Sequence, residues 1–203
     1  MLERAQQRTS TASWKPERDT MAAEREAEKA RRFRDAALPY LDDVFTLARY
    51  LMRDAADAED AVQECYLRAL RHFDSYRGPA MKPWLLAILR NVCRAEFARR
   101  ATQGAASACN EHMQAAEAVA WQEAQPSPEA ELLRRHDGET IRRLIAALPS
   151  AFREAVVLRE INNLSYREIA EVVGAPIGTV MSRLARARSM LRTAWAVEEG
   201  STR

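Results

Sequence analysis

Apolar residues recur at helical spacing over most of the chain from about residue 38 to about residue 196. In the segment 57–73, Ala58, Ala61, Val62, Cys65, Tyr66, Ala69 and Phe73 fall on one side of a wheel that turns about 100° per residue, which predicts a helix with that side toward a core. Asp57 is placed to cap it. The opposite side gathers Asp60, Gln63, Glu64, Leu67 and Arg71 within an arc of roughly 100°. An exposed leucine among acids and an amide is the pattern of a protein-contact patch; the plainer alternative is a solvated face with one stray leucine. Residues 83–100 predict a second helix, with Pro83 at a first helical position and Trp84, Leu85, Ile88, Val92 and Ala95 as its buried stripe. Its other stripe, Ala87, Arg90, Asn91 and Arg94, combines small, basic and amide side chains, and Arg99 and Arg100 close the helix.

The pattern over 165–192 is the most specific. Ser165-Tyr-Arg-Glu168 is a capping box that opens a short helix ending near Val173, Gly174 suits a left-handed stop, and Pro176 restarts helix after the turn. Two helices joined in this way make a helix-turn-helix, whose second helix enters the major groove of DNA. Along that second helix Ile177, Val180, Leu184, Ala187 and Leu191 point one way, and Thr179, Ser182, Arg183 and Arg186 the other. Arginine can read guanine bidentately, and Arg188 and Arg192 flank the stripe as candidate phosphate contacts.

Breaks divide the chain into units. Residues 1–37 hold almost no large apolar side chains beyond Trp14 and Phe33, which predicts a flexible N-terminal extension. Residues 38–100 read as one helical bundle. Residues 101–127, rich in Ala, Gly, Ser, Gln and Glu and closing on Pro126-Ser127 before Pro128, read as a linker; 128–196 form a second helical unit and 197–203 a tail. Composition agrees with an all-α reading of two small domains. Only 6 of the 203 residues are Gly, and Ala, Leu, Arg and Glu dominate. No apolar run approaches the roughly 18 residues of a membrane span, and the polar start from Met1 to Arg8 lacks a signal-peptide centre, so a cytoplasmic protein without stable membrane insertion is expected. Cys65, Cys93 and Cys109 read as reduced thiols.

The net charge of +2 conceals a sharp alternation. Residues 38–75 carry 4 basic and 8 acidic side chains, 76–100 carry 6 and 1, and 176–192 hold four Arg and no acid. Two basic elements on helices suit phosphate contact. Arg77 and Lys82 guard the loop before the 83–100 helix, where Asn91 could bond a base edge and Trp84 either packs in the core or stacks on a base. No catalytic constellation stands out: the carboxylates sit on a helix face without His or a glycine-rich phosphate loop. Cys109 and His112 have Cys-x-x-His spacing, but two ligands do not make a zinc site. The expectation is therefore a protein that is not an enzyme, with no cofactor, no metal and no small-molecule substrate.

Three runs carry a resemblance. Asp57-Ala-Glu-Asp-Ala-Val-Gln-Glu-Cys-Tyr-Leu-Arg-Ala69, Lys82-Pro-Trp-Leu-Leu-Ala-Ile-Leu-Arg-Asn91, and Leu164-Ser-Tyr-Arg-Glu-Ile-Ala-Glu-Val-Val-Gly-Ala-Pro-Ile-Gly-Thr-Val-Met-Ser-Arg-Leu-Ala-Arg-Ala-Arg188 resemble a bacterial extracytoplasmic-function sigma factor of the sigma-70 family. The resemblance implies that the first domain, region 2, binds core RNA polymerase through Asp60, Gln63, Glu64 and Leu67. It further implies that Arg77, Lys82, Trp84, Arg90, Asn91 and Arg94 melt and hold the minus-ten element of promoter DNA. The second domain, region 4, would read the minus-thirty-five element as duplex with Ser165, Thr179, Ser182, Arg183, Arg186 and Arg188, and a cognate anti-sigma factor would cover one or both of the polymerase-binding surfaces. Met181 and Ala185 depart from basic or longer side chains found in relatives, which moves readout toward Arg183, Arg186 and Ser182; Leu86 and Ala87 likewise replace bulkier or basic residues of the minus-ten helix. The competing function is a free-standing helix-turn-helix regulator, which would bind a palindromic duplex by itself.

Overall fold

The computed structural model describes residues 16–78, 80–106 and 128–201, and all the regular structure among them is helical. Helix α1 spans Pro16–Ala37, α2 Leu41–Met52, α3 Ala55–His72, α4 Met81–Ala106, α5 Pro128–Ala147, α6 Ser150–Val156, α7 Tyr166–Val173 and α8 Ile177–Ser201. The segment expected to be a flexible N-terminal extension is thus helical from Pro16, and its last turns are packed. Phe33 and Ala37 are buried, the Phe33 ring meeting Tyr66 and Phe73 edge-on at centroid separations of 6.1 and 5.4 Å. The Tyr66 hydroxyl donates to the Ala37 carbonyl at 3.0 Å, which fixes the end of α1 on α3. One large aromatic on the right face is enough to anchor the end of a helix whose other positions are mostly polar.

Helices α2, α3 and α4 pack on one another. Their contact surface is Val44, Leu47, Ala48 and Leu51 from α2, Ala58, Ala61, Val62, Cys65 and Ala69 from α3, and Leu85, Leu86, Leu89, Val92 and Cys93 from α4. The small residues of α3 bring its backbone close to its neighbours, which leaves room for the leucines of α4. The stripe expected on α4 is shifted in part: Ala95 is exposed, and Leu86 and Cys93 are fully buried. The reason is that α4 is covered twice, by α2 and α3 on one flank and by α7 on the other. Burial pushes the thiols of Cys65 and Cys93 up to about 12, so neither is a thiolate at neutral pH. Asp57 does not cap α3 either. The cap is Asp54, whose carboxylate accepts the Asp57 N–H at 3.0 Å.

Between α6 and α7 the chain passes through a π-helical turn, Val157–Ile161, closed by the Asn162 N–H donating to the Val157 carbonyl at 2.9 Å. The extra residue per turn re-aims the side chains that follow it. Asn163 at φ 56° then reverses the chain, a conformation that asparagine tolerates better than most residues. Val156, Val157 and Leu158 from this stretch pack with Ile169, Val172, Val180, Leu184 and Ala187. The two groups of helices are not independent balls: α4 lies against α7 and α2 against α6, and buried residues run through both as one cluster. Helix α4 continues to Ala106 and α8 to Ser201, past the expected ends of their units. Residues 107–127, which contain Cys109 and His112, lie outside the described residues.

Candidate protein-contact and nucleic-acid surfaces

Helix α3 presents the acidic face that its periodicity predicts. Asp60, Gln63 and Leu67 are exposed, Leu67 to 50%, while the five residues opposite are in the core. Glu64 is half-buried and accepts from Arg68 Nε at 2.6 Å, which fixes its carboxylate along the helix edge. A half-exposed leucine flanked by carboxylates and an amide offers a partner an apolar centre with a polar rim, the anatomy of a protein interface.

The loop that joins α3 to α4 is built around aromatic packing. The Tyr76 and Trp84 rings lie 4.6 Å apart at 38°, and a Cβ on Gly78 would sit 2.7 Å from Tyr76 Cε2, so a larger residue there would have to push the ring aside. Arg77 turns its guanidinium inward, donating to the Asp74 and Tyr76 carbonyls at 2.6 and 2.9 Å. It therefore closes the loop from its exposed side. Lys82 pairs with Asp43 at 2.7 Å. Asn91 and Arg94 are exposed on α4, one turn apart and free to meet a ligand together. Arg90 is not: its Nε donates to Glu154 Oε1 at 2.5 Å, with the two side chains 14% and 10% exposed. Arg99 and Arg100 are not at the helix end, as α4 goes on for more than a turn. Arg100 forms a fork with both carboxylate oxygens of Asp57 and, with Arg99, also bonds Glu96.

The helix-turn-helix has the local chemistry that its sequence implies. Ser165 Oγ accepts the Glu168 N–H at 3.3 Å, and the Glu168 carboxylate accepts the Ser165 N–H at 2.8 Å. These bonds to Ser165 hold the Glu168 carboxyl below its ordinary range. Gly174 stops α7 at φ 62°. On α8, Val180, Leu184 and Ala187 are buried, Thr179 and Arg183 half-buried, and Ser182 and Arg186 exposed. Ile177 departs from the predicted inward stripe: at 44% exposure it lies with Met181 on the outer surface at the start of the helix. Ser165 and Arg188 already have partners. Arg188 Nη2 donates to Glu160 Oε1 at 2.6 Å, which holds its guanidinium above its ordinary value and ties α8 to the π-helical turn.

Sequence reasoning brought Thr179, Ser182, Arg183 and Arg186 together on one face, and did the same for Asp60, Gln63 and Leu67. It missed Glu154, Asn162 and Asp43, which bind the two groups of helices to each other. Asn162 is 1% exposed, and its Nδ2 donates to the Asp43 carbonyl and Oδ1 at 3.0 and 3.2 Å. Nothing in helical periodicity reports which polar residues meet across two units. Tyr76 was also passed over, although an aromatic next to Arg77-Gly78 in a loop otherwise poor in apolar residues was a usable signal.

Two family models match this chain: sigma-70 region 2 over residues 37–103 and sigma-70 region 4 over residues 138–191. The RNA polymerase sigma-H factor of Pseudomonas aeruginosa is 33% identical over 159 residues, covering 76% of this chain and 81% of that protein. The ECF RNA polymerase sigma-E factor of Escherichia coli is 32% identical over 151 residues, 71% of this chain and 76% of its own length. Among solved structures, the sigma factor RpoE from Bartonella quintana, crystallised in complex with the anti-sigma factor NepR, superposes with a TM-score of 0.68 at 29% identity, over 82% of this chain and 98% of that one. CnrH, solved in complex with the cytosolic domain of CnrY, shares the fold at a TM-score of 0.58 and 23% identity, over 88% and 96% of the two chains.

Proposed function

The chain belongs to the extracytoplasmic-function branch of the sigma-70 family and is an RNA polymerase sigma factor, and from that premise we propose how its surfaces divide the work. The units 38–100 and 128–196 act as a polymerase-binding, strand-holding domain and a duplex-reading domain. Core polymerase docks on the α3 face through Asp60, Gln63, Glu64 and Leu67. The melted minus-ten strand follows α4 and its preceding loop, with Asn91 on a base edge, Arg90, Arg94 and Lys82 near phosphates, and the Tyr76–Trp84 pair as an aromatic floor. The minus-thirty-five duplex receives α8, with Arg183 and Arg186 as base readers, Thr179, Ser182 and Ser165 as lesser contacts, and Arg188 at the edge. Arg77 supports this surface by fixing the loop. The protein performs no chemistry; it lends binding energy and selectivity to the enzyme it joins.

The observation that carries this reading is the coexistence of an acidic face around a half-exposed leucine on α3 with an outward-facing polar and basic stripe on α8. A free-standing regulator has no use for the first. An anti-sigma factor is the further partner this reading calls for, as in the NepR complex of its structural relative.

Two sets of variants separate the surfaces. Asp60→Lys with Glu64→Lys should reduce affinity for core polymerase by at least about 2 kcal/mol, the size of an interface hot spot, without altering which promoter is preferred. Arg183→Ala or Arg186→Ala should leave polymerase affinity unchanged and weaken minus-thirty-five-dependent initiation by about 1–3 kcal/mol per lost base contact. Unchanged polymerase binding in the double charge reversal would remove α3 from the interface.

A further inference from the structure

The turn that leaves α3 is held by α1. Phe73–Ser75 forms a single 3-10 turn, and the two carboxylate oxygens of its middle residue, Asp74, face two cations on α1: Lys29 Nζ at 2.9 Å and Arg32 Nη2 at 3.9 Å. Lys29 and Arg32 are three positions apart and therefore share a face of the helix. Phe33 lies next to them with its ring on Phe73, and the Arg32 guanidinium stands 5.7 Å from the Phe73 ring centroid. Residues 20–28 and 30–32 of α1 are all exposed, whereas the Lys29 side chain is only 16% exposed. Lysine ordinarily keeps its head in water, so a covered lysine on an otherwise solvated stretch of helix is placed there by its partner. Asp74 in turn holds the Lys29 ammonium above its ordinary value.

The hold on Asp74 passes into the loop that follows. Its carbonyl accepts from Arg77 Nη1 at 2.6 Å, and the Tyr76 N–H donates to the Phe73 carbonyl at 3.1 Å. Tyr76 then lies on Trp84 in the first turn of α4. Asp74 adds nothing to the core, since its side chain is 61% exposed, and a surface ion pair contributes little to global stability. What the contact can govern is where the loop sits. The sigma-70 region 2 match begins at residue 37, so Lys29, Arg32 and Phe33 lie ahead of it. They add a second support to a loop that the matched segment already ties through Arg77.

We propose that α1 is a positioning element for promoter recognition: Lys29, with Arg32 beside it, holds Asp74 and through it the loop from Phe73 to Gly78 in the shape that presents Tyr76, Arg77 and Trp84 to the minus-ten strand. The proposal rests on the assignment of that loop to the minus-ten strand. A loop fixed in advance loses less freedom when it captures a strand, so the support raises selectivity at that element without touching DNA itself.

The test begins with hydrogen exchange in the full chain. Lys29→Met keeps most of the stem and removes the charge; exchange of the amides of residues 74–78 should quicken about threefold, with α2 and α7 unchanged. Asp74→Asn should reproduce the effect, the two changes together should add little, and Lys29→Arg should keep the parent rate. In holoenzyme assembled with purified core polymerase and transcribing a genomic promoter library, Lys29→Met should flatten the base preference at the proximal element about threefold. Polymerase affinity and the distal preference should not change. Unchanged loop exchange in Lys29→Met overturns the proposal, as does faster exchange throughout the bundle or an equal loss of polymerase affinity, each of which makes Lys29 a residue of the fold alone. A loosened loop with the proximal preference intact overturns it too, and Asn91→Ala in the same library then locates the fault. If that variant weakens the proximal preference, the minus-ten reading stands and α1 is not its support; if it does not, the minus-ten reading itself falls.

Discussion

Arg100 reaches from the later turns of α4 to the first turn of α3, where it grips Asp57 through both oxygens while sharing Glu96 with Arg99. A bidentate fork inside a network is the geometry in which a surface ion pair contributes measurably rather than being lost to solvent. The hydrogen bonds from Arg99 and Arg100 hold the Glu96 carboxyl at about 2, against an ordinary value of 4.5, and Arg100 likewise lowers Asp57. A depressed carboxyl stabilises the fold above its unfolded-state value, and that stabilisation is lost as pH falls toward the folded-state value. Arg100→Gln should therefore lower the thermal midpoint at pH 7, and the gap from the parent should close between about pH 4.5 and pH 2. Circular dichroism melts across that window measure it; a gap that persists at pH 2 would mean that Arg100 acts through packing instead. At this scale the sequence was legible in residue type and not in partner. Asp57 was visible as an acid at a helix start, but whether it or Asp54 caps α3 depends on where the chain leaves the left-handed turn at Arg53. Arg99 and Arg100, read as closing a helix, and Arg188, read as a phosphate contact, were not legible as braces until their carboxylates were in view.

Among elements, the helix-turn-helix was the most legible because three independent local rules coincide on it: a capping box, a glycine stop and a proline restart. Gly174 supplies a clean test, since a Cβ there would meet nothing within 4 Å and the only penalty is the left-handed backbone. Gly174→Ala should thus destabilise the protein by about 1–2 kcal/mol in urea unfolding, through strain alone. Because that strain falls on the joint between α7 and α8, minus-thirty-five-dependent initiation should drop more than polymerase affinity does. Equal losses in both would mean that the turn does not set the angle of α8. The π-helical turn left no such local mark. A fifth residue in a turn shifts which side chains face inward, and the run Val-Leu-Arg-Glu-Ile reads as ordinary α-helix to any periodicity argument. The packing of the end of α1 was not legible for a related reason: its amphipathic signal is carried by Phe33 and Ala37, in a segment where charge dominates.

For the whole molecule, the sequence divided the chain in two, and the family matches fall on those two parts. It did not show that the parts pack together, because the contact is made by side chains whose types fit a solvated surface equally well. Glu154, Arg90 and Asn162 become a buried set only when α6 meets α4 and the π-helical turn meets α2. Leu86 and Cys93, outside the stripe that periodicity predicts, are buried because α4 is flanked from both sides. The fold at this scale thus packs α7 on α4 and α6 on α2, while Asp60, Gln63 and Leu67 of α3 and Ser182 and Arg186 of α8 stay exposed.

The measurement that bears most directly on the account is transcription in vitro from a genomic promoter library, with purified bacterial core polymerase in the presence and absence of this protein and every start mapped by sequencing. The account predicts new starts that share two spaced upstream elements, and Arg183→Ala or Arg186→Ala should relax only the distal one. No new starts, together with tight binding of the protein alone to a palindromic duplex, would contradict it.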